Sequence, residues 1–184
     1  MLVAVRTPAA PLGLTATDGI LGVALAGGVV ALAMHAGWMG SAGAATIALV
    51  VAALVAPALA RIDVAERRLP NLLTVPLLGI ASACALVGAM LGTWVGALVG
   101  LGVAVVLVAM WWLGGMGAGD VKLGAGLALA AAPIEWWLPL SGMACAFLLG
   151  GAVGLVAKVR GADSVPFGPW LLAGTGVAVV LAAV

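Results

Sequence analysis

Arg61-Ile-Asp-Val-Ala-Glu-Arg-Arg-Leu-Pro-Asn71 is a short polar break between two long apolar stretches. A second break, Gly114-Gly-Met-Gly-Ala-Gly-Asp-Val-Lys122, has the same character. The chain around them is 66% hydrophobic and only 7% charged, with a mean hydropathy of +1.35. Soluble domains do not reach such values, so the breaks punctuate the spans of an integral membrane protein. Every backbone polar group in lipid must be satisfied internally, and the apolar runs lack the two-residue alternation of a barrel strand. The expected fold is therefore all-α, a polytopic transmembrane helical bundle.

Apolar stretches run over 19–37, 42–60, 72–92, 94–113, 121–133, 138–157 and 167–184. They predict about seven helices, with residues 1–18 as a cytoplasmic N-terminal tail carrying Arg6, Pro8 and Pro11, and 19–184 as a single transmembrane domain. The fifth stretch is short for a hydrocarbon core of about 30 Å. Asp18 fits an N-cap for the first helix, and Asn71, after Pro70, an N-cap for the third. Many of the 28 glycines fall inside the spans, where small residues let helices approach closely, and Gly92, Gly96 and Gly100 repeat on one face as a packing series.

Basic residues set the orientation. Arg61, Arg67 and Arg68 share one loop, Lys122 belongs to another, and Lys158 with Arg160 to a third. Pairs of spans separate these loops, so they lie on one side, which the positive-inside rule makes cytoplasmic. The N-terminus is then inside and the C-terminus outside, with Glu135, Trp136 and Trp137 at the outer interface. Asp63 and Asp120 come to the same membrane face.

A net charge of +1 offers no basic surface for nucleic acid. Cys84 and Cys145 lie in apolar stretches without Cys-x-x-Cys spacing and read as small packing residues, neither zinc ligands nor a disulfide. His35, near the outer end of the first span, reads as a packed or interfacial histidine.

A carboxylate at a membrane edge is costly to keep and reads as functional. Two carboxyls that share a proton can hydrolyse a peptide bond: the ionised one activates water while the protonated one polarises the carbonyl oxygen. Gly117 and Gly119 remove side chains beside Asp120, where an extended substrate backbone would approach. Each aspartate also has a simpler reading. Asp120 fits the N-cap of the fifth helix, and Asp63 fits a salt-bridge partner for Arg61 or Arg67. Lys122 reads as a snorkelling anchor, Arg67 and Arg68 as headgroup contacts, and Pro166-Phe-Gly-Pro169 as a rigid lead into the last helix. Other classes compatible with paired aspartates are a small proton-coupled transporter and a non-catalytic membrane scaffold. A relay needs ionisable groups at several depths, and these spans carry them only near their ends.

Asp63 with Arg67-Arg68-Leu69-Pro70-Asn71, then Gly-Met-Gly-Ala-Gly-Asp120-Val-Lys-Leu, then Val165-Pro-Phe-Gly-Pro169, in that order, resembles the type IV prepilin peptidase family, membrane aspartic proteases of the Gly-x-Gly-Asp type. The resemblance covers the chain from about residue 45 to the end. It implies that Asp63 and Asp120 are catalytic, with Gly117, Gly119, Asn71 and Lys122 as active-site support or substrate contacts. It further implies a prepilin or pilin-like precursor as substrate, cleaved at the cytoplasmic face of the bacterial inner membrane, with no metal and no cofactor. The larger bifunctional members carry paired Cys-x-x-Cys motifs associated with N-methylation, and these are missing here, so N-methylation is not expected. The compact form is similar to the short peptidases of tight-adherence or Flp-type pilus systems. Nothing in the sequence specifies an oligomer.

Overall fold

The computed structural model of the chain describes residues 13–40, 42–161 and 165–184, and among them there is no strand. The expected tail falls outside these residues from 1 to 12, with Arg6, Pro8 and Pro11. The helices are α1 (Ala16–His35), α2 (Gly43–Glu66), α3 (Asn71–Gly88), α4 (Trp94–Trp112), α5 (Ala118–Ala131), α6 (Leu138–Val159) and α7 (Gly168–Ala183).

The third and fourth apolar stretches form α3 and α4, which meet at a kink, Ala89–Thr93, where Gly92 leaves the helical conformation. Counted through that kink, Asn71–Trp112 is one stretch of 42 residues with α3 and α4 as its two arms, and the described residues make six helical bodies. Four of them are long and apolar enough to cross a membrane: α1, α2, the α3–α4 run and α6. Gly92 at the joint has φ 111°, a conformation that side chains disfavour, and the run folds back there. Its two arms lie along α5 in opposite senses. Leu77 and Leu78 on one arm meet Gly126, Leu107 on the other meets Gly124, and Gly88 and Gly96 both sit at the far end against Pro133 and Ala132.

The expected glycine series therefore divides. Gly96 and Gly100 press against the α5 backbone at Ala132 and Ala128, whereas a Cβ at Gly92 would meet nothing within 4 Å, and Gly92 serves the bend. Similar close approaches join Gly22 to the Leu54 carbonyl and Gly174 to Ala146, pairing α1 with α2 and α6 with α7. Lipid tails are as apolar as leucine, so the bundle is held by such van der Waals fits and not by exclusion of water.

At the centre stands α5. Its 14 residues reach about 21 Å, short of a full crossing. Val121 and every residue from Leu123 to Ala131 are buried, against α3, α4, α6 and α7. Glycine or alanine at six of these ten positions lets five neighbours, α2 included, close around one helix. The outer helices turn large apolar side chains outward, among them Ile20, Leu72, Met90 and Leu148. A soluble domain would not tolerate that much exposed hydrocarbon. Lipid accepts it, and the chain is a membrane protein.

Candidate functional site

Asp63 sits in the last turn of α2 and is 4% exposed. The helix ends at Glu66 because Arg67 adopts the left-handed conformation (φ 53°), and its N–H donates to the Asp63 carbonyl oxygen at 2.8 Å. Glycine ordinarily takes this cap; an arginine there costs roughly 1 kcal/mol or more. Arg67 is the one non-glycine residue with positive φ among the described residues. The reversal turns Leu69 inward, where it is buried, and Pro70 in extended conformation launches α3. Arg68 faces outward and pairs with Glu66 at 2.7 Å.

Asp120 is the third residue of α5 and half-buried. Gly117 occupies the N-cap, so the expectation of Asp120 at that position is corrected by three residues. The unpaired N–H donors of a helix start draw the carboxylate back toward it. The Asp120 Oδ2 lies 2.9 Å from where a Cβ on Gly117 would stand. Any larger residue at 117 would displace the carboxyl. Gly119 is needed for a different reason: its missing Cβ would stand 2.9 Å from the Leu69 Cβ.

Leu69 links the two aspartates. One side packs on Gly119, next to Asp120; its Cδ2 lies 3.2 Å from the Cβ position of Gly168. The Gly168 N–H, at the start of α7, donates to Asp63 Oδ2 at 2.8 Å in a buried hydrogen bond. Asp63 and Asp120 therefore flank the same leucine. Segments far apart in sequence thus converge at one end of the bundle, and the carboxyls of α2 and α5 share that end.

Arg61 and Lys122, beside the site, are already engaged. Arg61 binds Asp18, with Nη2 to Oδ2 at 2.7 Å, and also donates to the Gly13 carbonyl at 2.8 Å. The alternative that pairs Asp63 with Arg61 is thereby excluded. Asp18 is not the N-cap of α1: Thr15 is, and Asp18 closes the reciprocal capping box three residues on. Asn71 likewise is not a cap. Pro70 takes that position, and the Asn71 Oδ1 accepts from Lys122 Nζ at 2.7 Å, so Lys122 does not simply reach for the membrane surface. Phe167 of the closing motif packs against Phe147 of α6, ring centroids 5.2 Å apart.

Among the described residues no cluster of three or more His, Cys, Asp or Glu could hold a metal ion. Beside the site runs an open groove of about 660 Å³, lined by Leu14, Ile62, Leu69, Asn71 and Leu72 among others.

Sequence reading missed two features. The hydrogen bond from Gly168 to Asp63 joins residues 105 positions apart, and Leu69 was noted only as part of a motif. Glycine between phenylalanine and proline was the available signal for the first.

A helical membrane protein with two carboxyls converging at one end of the bundle, each closely approached by a glycine, is the class that fold and site define. The family model described as type IV leader peptidase matches residues 49–158, more than half of the chain and inclusive of Asp63 and Asp120. The chain belongs to the type IV leader peptidase family and is a membrane peptidase. No curated protein and no solved structure matches it.

Proposed function

We propose that this chain is an aspartic endopeptidase that removes the leader from prepilin or pilin-like precursors at the cytoplasmic face of the bacterial inner membrane. The observation that carries the reading is the convergence of Asp63 and Asp120, from α2 and α5, on the two flanks of Leu69 at one end of the bundle. The basic residues Arg61, Arg67 and Arg68 belong to that end, and the positive-inside rule assigns it to the cytoplasm, with the N-terminus inside.

Two carboxyls held together cannot both ionise, so the pair carries one proton. The ionised carboxylate takes a proton from water as its oxygen attacks the scissile carbonyl carbon. The protonated partner gives its proton to the carbonyl oxygen. Collapse of the tetrahedral intermediate breaks the C–N bond: the amine receives the first proton, the gem-diol returns one to the second carboxyl, and the pair is restored. Gly117 lets the Asp120 carboxyl lie back over the start of α5, and Gly119 admits Leu69 beside it, instead of leaving room for a substrate backbone. Asn71 and Lys122 brace the starts of α3 and α5. The groove lined by Ile62 and Leu69 would receive the leader.

Incubating the detergent-purified protein with a prepilin tests the reading. A product shortened by its leader is expected, lost on Asp63→Asn or Asp120→Asn. Normal cleavage by either variant would overturn the proposal.

A further inference from the structure

The Gly168 N–H belongs to the first turn of α7, where backbone donors have no partner within the helix. It is spent on Asp63 Oδ2 at 2.8 Å, inside a buried contact. Adding a Cβ at Gly168 would place it 2.9 Å from that oxygen and 3.3 Å from the Asp63 Cγ, with Leu69 closing the other flank at 3.2 Å. The approach thus requires a residue without a side chain. Phe167, packed on Phe147, and Pro169 in the first turn hold the peptide plane in place.

We infer that Gly168 is a positioning residue for the aspartate pair, holding Asp63 Oδ2 as an acceptor so that the shared proton resides on Asp120. The inference rests on the aspartic-peptidase reading above. A backbone N–H can only donate, so the oxygen facing it must present a lone pair. A donor fixed on one oxygen favours the charged carboxylate. Asp120 has the Asp63 charge beside it. Of the nearby cations, Arg61 is engaged by Asp18 and Lys122 by Asn71. The pair is therefore asymmetric. Asp63 takes the proton of the attacking water on Oδ1, its free oxygen, and Asp120 protonates the substrate carbonyl. The same bond stops the Asp63 side chain from rotating out of line between turnovers.

Two variants test this, assayed with purified prepilin in detergent. Gly168→Ala keeps the N–H but pushes a methyl group against Oδ2. Replacing the Phe167–Gly168 amide by an ester, with glycolic acid introduced at position 168 in cell-free translation, deletes the N–H and adds no bulk. Each should lower kcat by about tenfold or more with KM within about twofold, because the lost contact acts on the reacting group and not on substrate binding. Gly151→Ala, at a site with nothing within 4 Å, should cleave normally. The ester variant decides the matter even if Gly168→Ala fails to accumulate: wild-type kcat, or a change confined to KM, would overturn the inference. Asp63→Asn and Asp120→Asn run alongside separate the two claims. If they still cleave, the aspartic reading itself fails; if they are inactive while the ester variant cleaves at the wild-type rate, only the role of Gly168 fails.

Discussion

Lys122 Nζ donates to Asn71 Oδ1 at 2.7 Å, tying the first turn of α5 to the first residue of α3. The pair is exposed, so its contribution to stability is small, about 1 kcal/mol or less. Its effect on activity is expected to be larger, because Lys122 lies two residues from Asp120. Lys122→Met and Asn71→Ala should each reduce prepilin cleavage severalfold while leaving the thermal midpoint in detergent nearly unchanged. The double variant should be no worse than either single one, which a double-mutant cycle on kcat/KM would read.

Asp63→Asn and Asp120→Asn each keep the shape of the side chain and remove the exchangeable proton. Both are expected to accumulate in membranes like the wild type and to lose about 10³-fold or more in cleavage. Combining them should cost little beyond one alone, since the two carboxyls act as a unit. Quantifying the shortened product over time checks both statements.

Asp18 serves α1 twice, closing the capping box with Thr15 and receiving Arg61 at 2.7 Å. Asp18→Ala removes both; Asp18→Asn keeps a side-chain oxygen for the Thr15 N–H and loses the charge. Thermal unfolding in detergent should therefore rank wild type above Asp18→Asn above Asp18→Ala. Cleavage should fall in the same order, because Arg61 is two residues from Asp63 and the α2 terminus loosens with it.

Gly96 presses on the Ala132 carbonyl, and Gly102, six residues along the same helix, faces open space. Gly96→Ala should destabilise the protein by about 1–3 kcal/mol through overpacking of α4 against α5. Gly102→Ala should be neutral or slightly stabilising, by up to about 1 kcal/mol, since alanine is the better helix former. Equilibrium unfolding in mixed micelles distinguishes the two. Equal effects would mean that α4 does not pack on α5 through Gly96.

The unequal fate of similar glycines shows where sequence reading stops. Gly92, Gly96 and Gly100 share a spacing, and spacing alone predicts a common packing role. Gly92 departs because the chain reverses at that point. Asp18 and Asn71 show a related limit: a capping residue type before an apolar run announces a helix start to within a few residues, and neighbouring elements choose which residue takes the cap. Thr15 and Pro70 took those positions, which released Asp18 for Arg61 and Asn71 for Lys122.

Composition and periodicity by themselves determined that the chain is a helical membrane protein, because hydrocarbon admits few other ways to satisfy a backbone. Motif order picked out Asp63 and Asp120, since charge is scarce enough here for each carboxylate to stand out. Only the tertiary structure decided that α3 and α4 lie along α5 in opposite senses, that α5 is the buried centre, and that Asp63 takes its donor from Gly168 and not from Arg61. Those outcomes depend on which surfaces meet. A hydrogen bond between residues 105 positions apart has no local sequence signature, because its geometry exists only once α2, α5 and α7 have packed around Leu69.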